Sequence, residues 1–169
     1  MYNRILVPID GSATASHAFD EALKLAHETG AELQALYVVD TPPPSYDAAG
    51  GVYYPDIRDA LLKEGAHLSA DAVERMKREG VKGSPRVVEV DLTGDDVAHR
   101  ILQSSVEFNA DLVVMGTHGR RGWRRLVLGS VAEHFMRVAN RPVLLIPGRD
   151  AEARAEQVGT KTETPKAPS

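Results

Sequence analysis

Two pairs of small residues bracket the part of this chain best suited to chemistry. Gly116 and Gly119 stand in the run Gly116-Thr117-His118-Gly119, and Gly129-Ser130 follows after nine intervening residues. Glycine lets backbone N–H groups approach an anion with no Cβ in the way. Gly129-Ser130 opens a helical pattern, and a helix N-terminus favours phosphate; the Ser130 hydroxyl adds a donor. Arg120, Arg121, Arg124 and Arg125 set four cations beside this nest. The economical reading of the group is a bound nucleoside triphosphate. A glycine turn, an ordinary helix cap and arginines facing water would account for each feature singly, but not for their convergence after one strand.

Other phosphate-handling signatures are missing. There is no G-x-x-x-x-G-K-[ST] loop, no G-x-G-x-x-G after the first strand, and no kinase loop. With no cysteine, a thiol nucleophile, a disulfide framework and a Cys-ligated metal are all excluded. His118 has no carboxylate or nucleophile tied to it by spacing and reads as a residue that orients its turn. His17, His27, His67, His99 and His134 lack metal-ligand spacing and read as solvated or helix-face residues. No catalytic residue and no metal ligand is assigned. Trp123 reads as a support for the arginine loop or a partner contact.

These groups need a scaffold, and the hydrophobic pattern supplies one. Arg4 to Asp10 contains Ile5, Leu6, Val7 and Ile9, too short for a helix, and reads as a buried strand with Pro8 near its C-terminal end. Gly11-Ser12 turns the chain and caps a helix carrying Ala15, Ala18, Phe19, Ala22 and Ala26, which ends before Gly30. Leu33–Val39 is a second strand. Asp40 to Pro55, rich in Pro, Gly and Tyr, breaks the pattern; its length suits a lid or binding loop, with a plain surface excursion the equal alternative. A long helix runs from Asp56 to Gly80, and Val87, Val88 and Val90 mark a third strand. Thr93-Gly94-Asp95-Asp96 turns into a helix carrying Val97, Ile101 and Leu102. Leu112–Met115 is the fourth strand, Ser130–Ala139 a short helix, and Pro142–Pro147 the fifth strand. Beyond Gly148 the chain lacks the apolar residues to offset its ordering entropy, so 149–169 reads as a disordered tail after a domain of 1–148.

Five aliphatic strands alternating with four helices predict a single-domain α/β three-layer sandwich with a mostly parallel sheet. Right-handed crossovers put the useful loops at the C-terminal edge of the sheet. A reversal of strand order beside the first strand would open a crevice flanked by Asp10 and the loop after the fourth strand. The formal charge of -4 gives no basic field for nucleic acid or an anionic membrane. The opening run is too short and too charged for a secretion signal, and no run of apolar residues is long enough to span a bilayer.

The same residues resemble the universal stress protein family from Arg4 to Pro147. Members that bind ATP carry G-2x-G-9x-G-[ST], which Gly116, Gly119, Gly129 and Ser130 match in full. Ile5-Leu6-Val7-Pro8-Ile9-Asp10-Gly11-Ser12 resembles the family's first strand and turn, and Leu112 to Arg120 its fourth. The resemblance implies an adenine nucleotide alpha hydrolase-like fold with a five-stranded sheet of order 3-2-1-4-5. It implies ATP across the C-terminal edge, with Pro8, Asp10 and Val38 on the adenosine side and Gly116, Gly119, Gly129, Ser130 and Val131 on ribose and phosphates. It further implies Mg or Mn bridging the phosphates, a homodimer through Val143–Ile146, an unidentified regulatory protein partner and a cytoplasmic role in stress adaptation. Asp10 could instead cap its own turn, and Val38 and Val131 could belong to the core. A slow ATPase or autophosphorylating enzyme, and a dimeric interaction module independent of nucleotide, are the alternative functions. One departure stands out: many members have Pro-Ala where this chain has Asp95-Asp96, acids that favour a helix N-terminus but would repel a triphosphate if they faced the crevice.

Overall fold

The computed structural model describes residues 1–42, 55–91, 95–117 and 128–148. Gly119, His118, Trp123, the four arginines, the loop interior at 43–54, Thr93-Gly94 and the tail at 149–169 lie outside the described residues. The elements run β1 (Arg4–Pro8), α1 (Ala13–Thr29), β2 (Glu32–Val39), α2 (Pro55–Arg78), β3 (Gly83–Glu89), α3 (Val97–Glu107), β4 (Leu112–Gly116), α4 (Ser130–Val138) and β5 (Val143–Ile146). Among the described residues the strands form one sheet of order β3-β2-β1-β4-β5, parallel throughout.

Strand alternation divides the core into two layers. Ile5 and Val7 of β1, Leu33 and Ala35 of β2, and Leu112 and Val114 of β4 meet Phe19 and the small residues Ala18, Ala22 and Ala26 of α1, with Ala72 and Met76 of α2. On the other face Leu6, Leu36, Val113 and Met115 meet Ala98 and Ile101 of α3 and Ala132 and Phe135 of α4. The alanine face explains how α1 lies close to the sheet. Ser12 caps α1, its Oγ accepting from the Ala15 N–H at 3.1 Å. Gly30 ends it in the left-handed region (φ 73°), donating to the Ala26 carbonyl at 2.9 Å. Arg75 of α2 joins the two helices, paired with Asp20 and set 4.6 Å over the Phe19 ring.

The strand pattern departs from the sequence reading at β3. It begins at Gly83 and takes in Ser84 and Pro85, which look like loop residues, and ends before Val90. β3 is an edge strand, where a proline's missing N–H costs no ladder bond if it faces outward. Gly83 is required by packing: a Cβ there would lie 2.2 Å from the Leu33 carbonyl oxygen. Of the three valines only Val88 is buried, and Val87 is 38% exposed. The other boundaries shift by a residue or two, as at Pro8 and Pro55. No helix among the described residues is long and apolar enough to cross a membrane.

The order reverses between β1 and β4, and the two strands part there. Their pairing covers only Ile5↔Leu112 and Leu6↔Val113, although β1 runs on to Pro8 and β4 to Gly116. Such a switch point opens a crevice at the C-terminal edge.

Candidate functional site

Because the strands are parallel, the chain leaves β1, β3 and β4 at this same edge. After β1, the Ile9 N–H still bonds the Leu36 carbonyl at 2.8 Å, and then the chain turns. Asp10 holds that turn, its Oδ1 accepting from the Ser12 N–H at 2.9 Å. Gly11 supplies the positive φ of 79° that the turn needs. The capping role for Asp10 is therefore present in the structure, which sets its carboxylate beside the start of α1. Pro8 and Val38 are half-buried. Pro8 shares the parity of Leu6, and Val38 that of Leu36, so both stand on the α3–α4 side of the sheet. Val38 packs against the core on that side.

The two halves of the glycine pattern meet directly. Thr117 donates its N–H to the Ile146 carbonyl at 2.9 Å, and its own carbonyl accepts from the Gly129 N–H at 2.7 Å. The chain thus leaves the sheet after Thr117 and is back beside it at Gly129. Gly129 is the N-cap of α4 in an extended conformation (φ -62°, ψ 150°), and it provides no side-chain cap. A glycine here leaves the first-turn N–H groups and the positive end of the helix dipole to another acceptor. Ser130 is exposed, and Val131 is 37% exposed, which removes Val131 from the core. Gly116 has a reason the spacing did not disclose. A Cβ on it would lie 2.8 Å from Thr14 Cγ2 and 3.0 Å from the Thr14 carbonyl carbon and oxygen. Its smallness seats β4 against the first turn of α1, as well as baring the backbone.

The Asp95-Asp96 pair resolves into two different residues. Asp95 is exposed. Asp96 is the N-cap of α3, its Oδ1 accepting from the His99 N–H at 2.9 Å and lying 3.0 Å from His99 Nδ1. Its Oδ2 lies 2.7 Å from His134 Nδ1 of α4. Burial works against the charge of Asp96, but the His99 N–H and ring, with the neighbouring His134, outweigh it and hold the carboxyl below its ordinary value. The two imidazoles stand edge to face with centroids 5.0 Å apart. By spacing alone these histidines are separate helix-face residues. The 35-residue gap between them hides the meeting, and only Asp96-x-x-His99, one turn at a helix start, carried a local signal.

The other histidines differ as well. His17 is buried, its Nδ1 3.1 Å from the Pro147 carbonyl, and so ties the end of β5 to α1. His27 is exposed, 2.8 Å from the Glu79 carbonyl, and His67 is exposed. A depression along α1 is lined by His17, Asp20, Glu21, Leu23, Lys24, His27, Glu28 and Glu79. Its charged groups pair with one another, as Lys24 does with Glu21 at 2.6 Å.

Comparison with known proteins agrees with this geometry. A universal stress protein of Methanocaldococcus jannaschii is 35% identical over 86% of this chain and 82% of its own length. A crystal structure of a universal stress protein family member from Burkholderia pseudomallei is 45% identical, with a TM-score of 0.69 over 86% of this chain and 96% of that one. More distant structures carry nucleotides. They include a universal stress protein with cAMP (23% identical, TM-score 0.64, 87% of this chain and 98% of that one). An Archaeoglobus fulgidus member holds dAMP (21%, 0.62, 86% and 98%). An Arabidopsis thaliana member holds AMP (20%, 0.64, 89% and 94%). At those identities the likeness shows the fold alone. Residues 1–147 match the universal stress protein family as a whole, so the sheet order, the switch-point crevice and the family match together make this chain a member of the universal stress protein family.

Proposed function

We propose that the chain binds ATP at the C-terminal edge of its sheet and serves as a nucleotide-responsive regulatory module in cytoplasmic stress adaptation. The observation that carries this is the Thr117–Gly129 hydrogen bond of 2.7 Å. It joins the two halves of the glycine pattern and sets the N-terminus of α4, whose N-cap Gly129 has no capping side chain, beside the β1–β4 switch point. An anion there would take up N–H groups that a side-chain cap would otherwise satisfy. Relatives of the same fold hold AMP, dAMP and cAMP, which supports an adenine nucleotide as the ligand class.

In this reading Pro8 and Val38 form an apolar wall for adenosine, and Asp10 accepts from adenosine or a ribose hydroxyl beside the turn it caps. Gly116, Gly119, Gly129, Ser130 and Val131 hold ribose and phosphates, largely through backbone N–H groups, and Mg or Mn bound with the nucleotide would neutralise phosphate charge. The Asp96 carboxylate is engaged by two histidines, which lessens its repulsion of a triphosphate. Homodimerisation through β5 belongs to the same proposal. β5 is an edge strand of four residues, Leu144 on it is 40% exposed, and an open apolar edge needs covering. The test is Gly119→Ala. It should lose ATP while keeping the far-ultraviolet circular dichroism of the parent; unchanged affinity would remove the glycine pattern from the site.

A further inference from the structure

We propose that Asp96, His99 and His134 form a binding site for a divalent transition-metal cation, with Zn(II) as its representative, between the N-terminal ends of α3 and α4. One ligand atom from each residue lies within 4.8 Å of the others. Two imidazoles and a carboxylate are the donor set that suits zinc and its neighbours and is poorly suited to calcium or magnesium. The site stands on these three side chains and does not depend on the nucleotide reading.

The arrangement is held by structure on both sides. Asp96 is fixed as the α3 cap by the His99 N–H, and His99 stands in the first turn of that helix. His134 comes from α4, which packs on the same core layer as α3 through Ala98, Ile101, Ala132 and Phe135. A helix cap needs one acceptor, yet this carboxylate also meets two imidazole Nδ1 atoms, at 3.0 and 2.7 Å. The two short contacts use different carboxylate oxygens, Oδ1 toward His99 and Oδ2 toward His134; tetrahedral zinc with bonds near 2.0–2.1 Å keeps its ligand atoms roughly 3.3 Å apart, and ligand atoms already within 4.8 Å of one another reach that spacing by side-chain rotation. The rings stand at 83° to one another, aimed toward a common carboxylate and not stacked. All three side chains are between 41% and 46% exposed, so an ion can enter and water can complete its coordination. On binding, a neutral ring that holds its proton on Nδ1 exchanges it through solvent for one on Nε2, so that Nδ1 donates its lone pair to the metal and the ring stays neutral.

The plain alternative is a helix cap reinforced by two histidines, and the experiment separates the two. The full chain, free of any affinity tag and stripped with EDTA, is titrated with Zn(II) against a chromogenic chelator at about pH 7.5. The expected result is one zinc per chain with a Kd of roughly micromolar or tighter. His99→Ala and His134→Ala should each weaken it at least about tenfold, and His27→Ala, on the far helix pair, should leave it unchanged. Asp96→Asn keeps a cap acceptor while removing the anionic ligand, so it should weaken zinc without unfolding the chain. Co(II) loaded at the site should give visible d–d bands that vanish in the double histidine variant. No zinc uptake by about 100 µM, or uptake undiminished in the folded double variant, would overturn the proposal.

Discussion

Gly116→Ala tests whether this glycine is a packing residue independently of any ligand. The added methyl would meet Thr14 Cγ2 at 2.8 Å and the Thr14 carbonyl carbon and oxygen at 3.0 Å. The side-chain contact can be relieved by rotating Thr14, but the backbone contacts belong to the first turn of α1 and can be relieved only by moving that helix or β4. Overpacking of this kind costs about 1–3 kcal/mol. Urea denaturation of nucleotide-free protein, followed by circular dichroism, should therefore show a lower midpoint with an unchanged slope. Thr14→Ser removes Cγ2 and leaves the backbone in place. In the Gly116→Ala background it should recover part of the loss, on the order of 0.5–1 kcal/mol of coupling, and not all of it. Wild-type stability in Gly116→Ala, or strict additivity of the two changes, would refute the claim that β4 and α1 meet through this residue.

Other consequences follow from the same contacts. Gly65→Ala would set a methyl 2.6 Å from Tyr37 Cδ1, against a buried ring that also bonds Glu64 at 3.1 Å; a loss of about 1–3 kcal/mol is expected in the same denaturation assay. Phe135→Ala empties the core beneath α4, where Phe135 is fully buried, and should cost about 3–5 kcal/mol, read as a fall in Tm. The Asp96 carboxyl is held below its unfolded value of 3.8, so its contribution is present in full above that pH and is lost as pH falls through the lower folded value. The stability gap between the parent and Asp96→Asn should thus narrow in acid below 3.8 as the carboxyl protonates; a gap undiminished at about pH 2 would contradict the assignment.

What could be read from the chain depended on how local the cause was. Runs such as Ile5-Leu6-Val7 and Leu112-Val113-Val114 are buried on both faces, and continuous aliphatics announce that directly. Gly30 after the α1 pattern marked the helix end, and the structure places it in the left-handed region. β3 was less legible because an edge strand with alternating exposure admits Gly83 and Pro85, which elsewhere signal a loop. The glycine spacing pointed to the site, but Gly116 touching Thr14 is a contact across 102 positions that no periodicity encodes. His99 and His134 are legible only once two crossovers have set α3 beside α4. Local chemistry marked the loops; the topology decided which of their side chains meet.

The most direct test of the central claim is calorimetric titration of nucleotide-stripped protein with ATP in magnesium, alongside GTP. The account predicts saturable heat for ATP, at about one per chain, and none for GTP under the same conditions. No heat at roughly millimolar ATP, repeated at a second temperature to avoid a vanishing enthalpy, would contradict it.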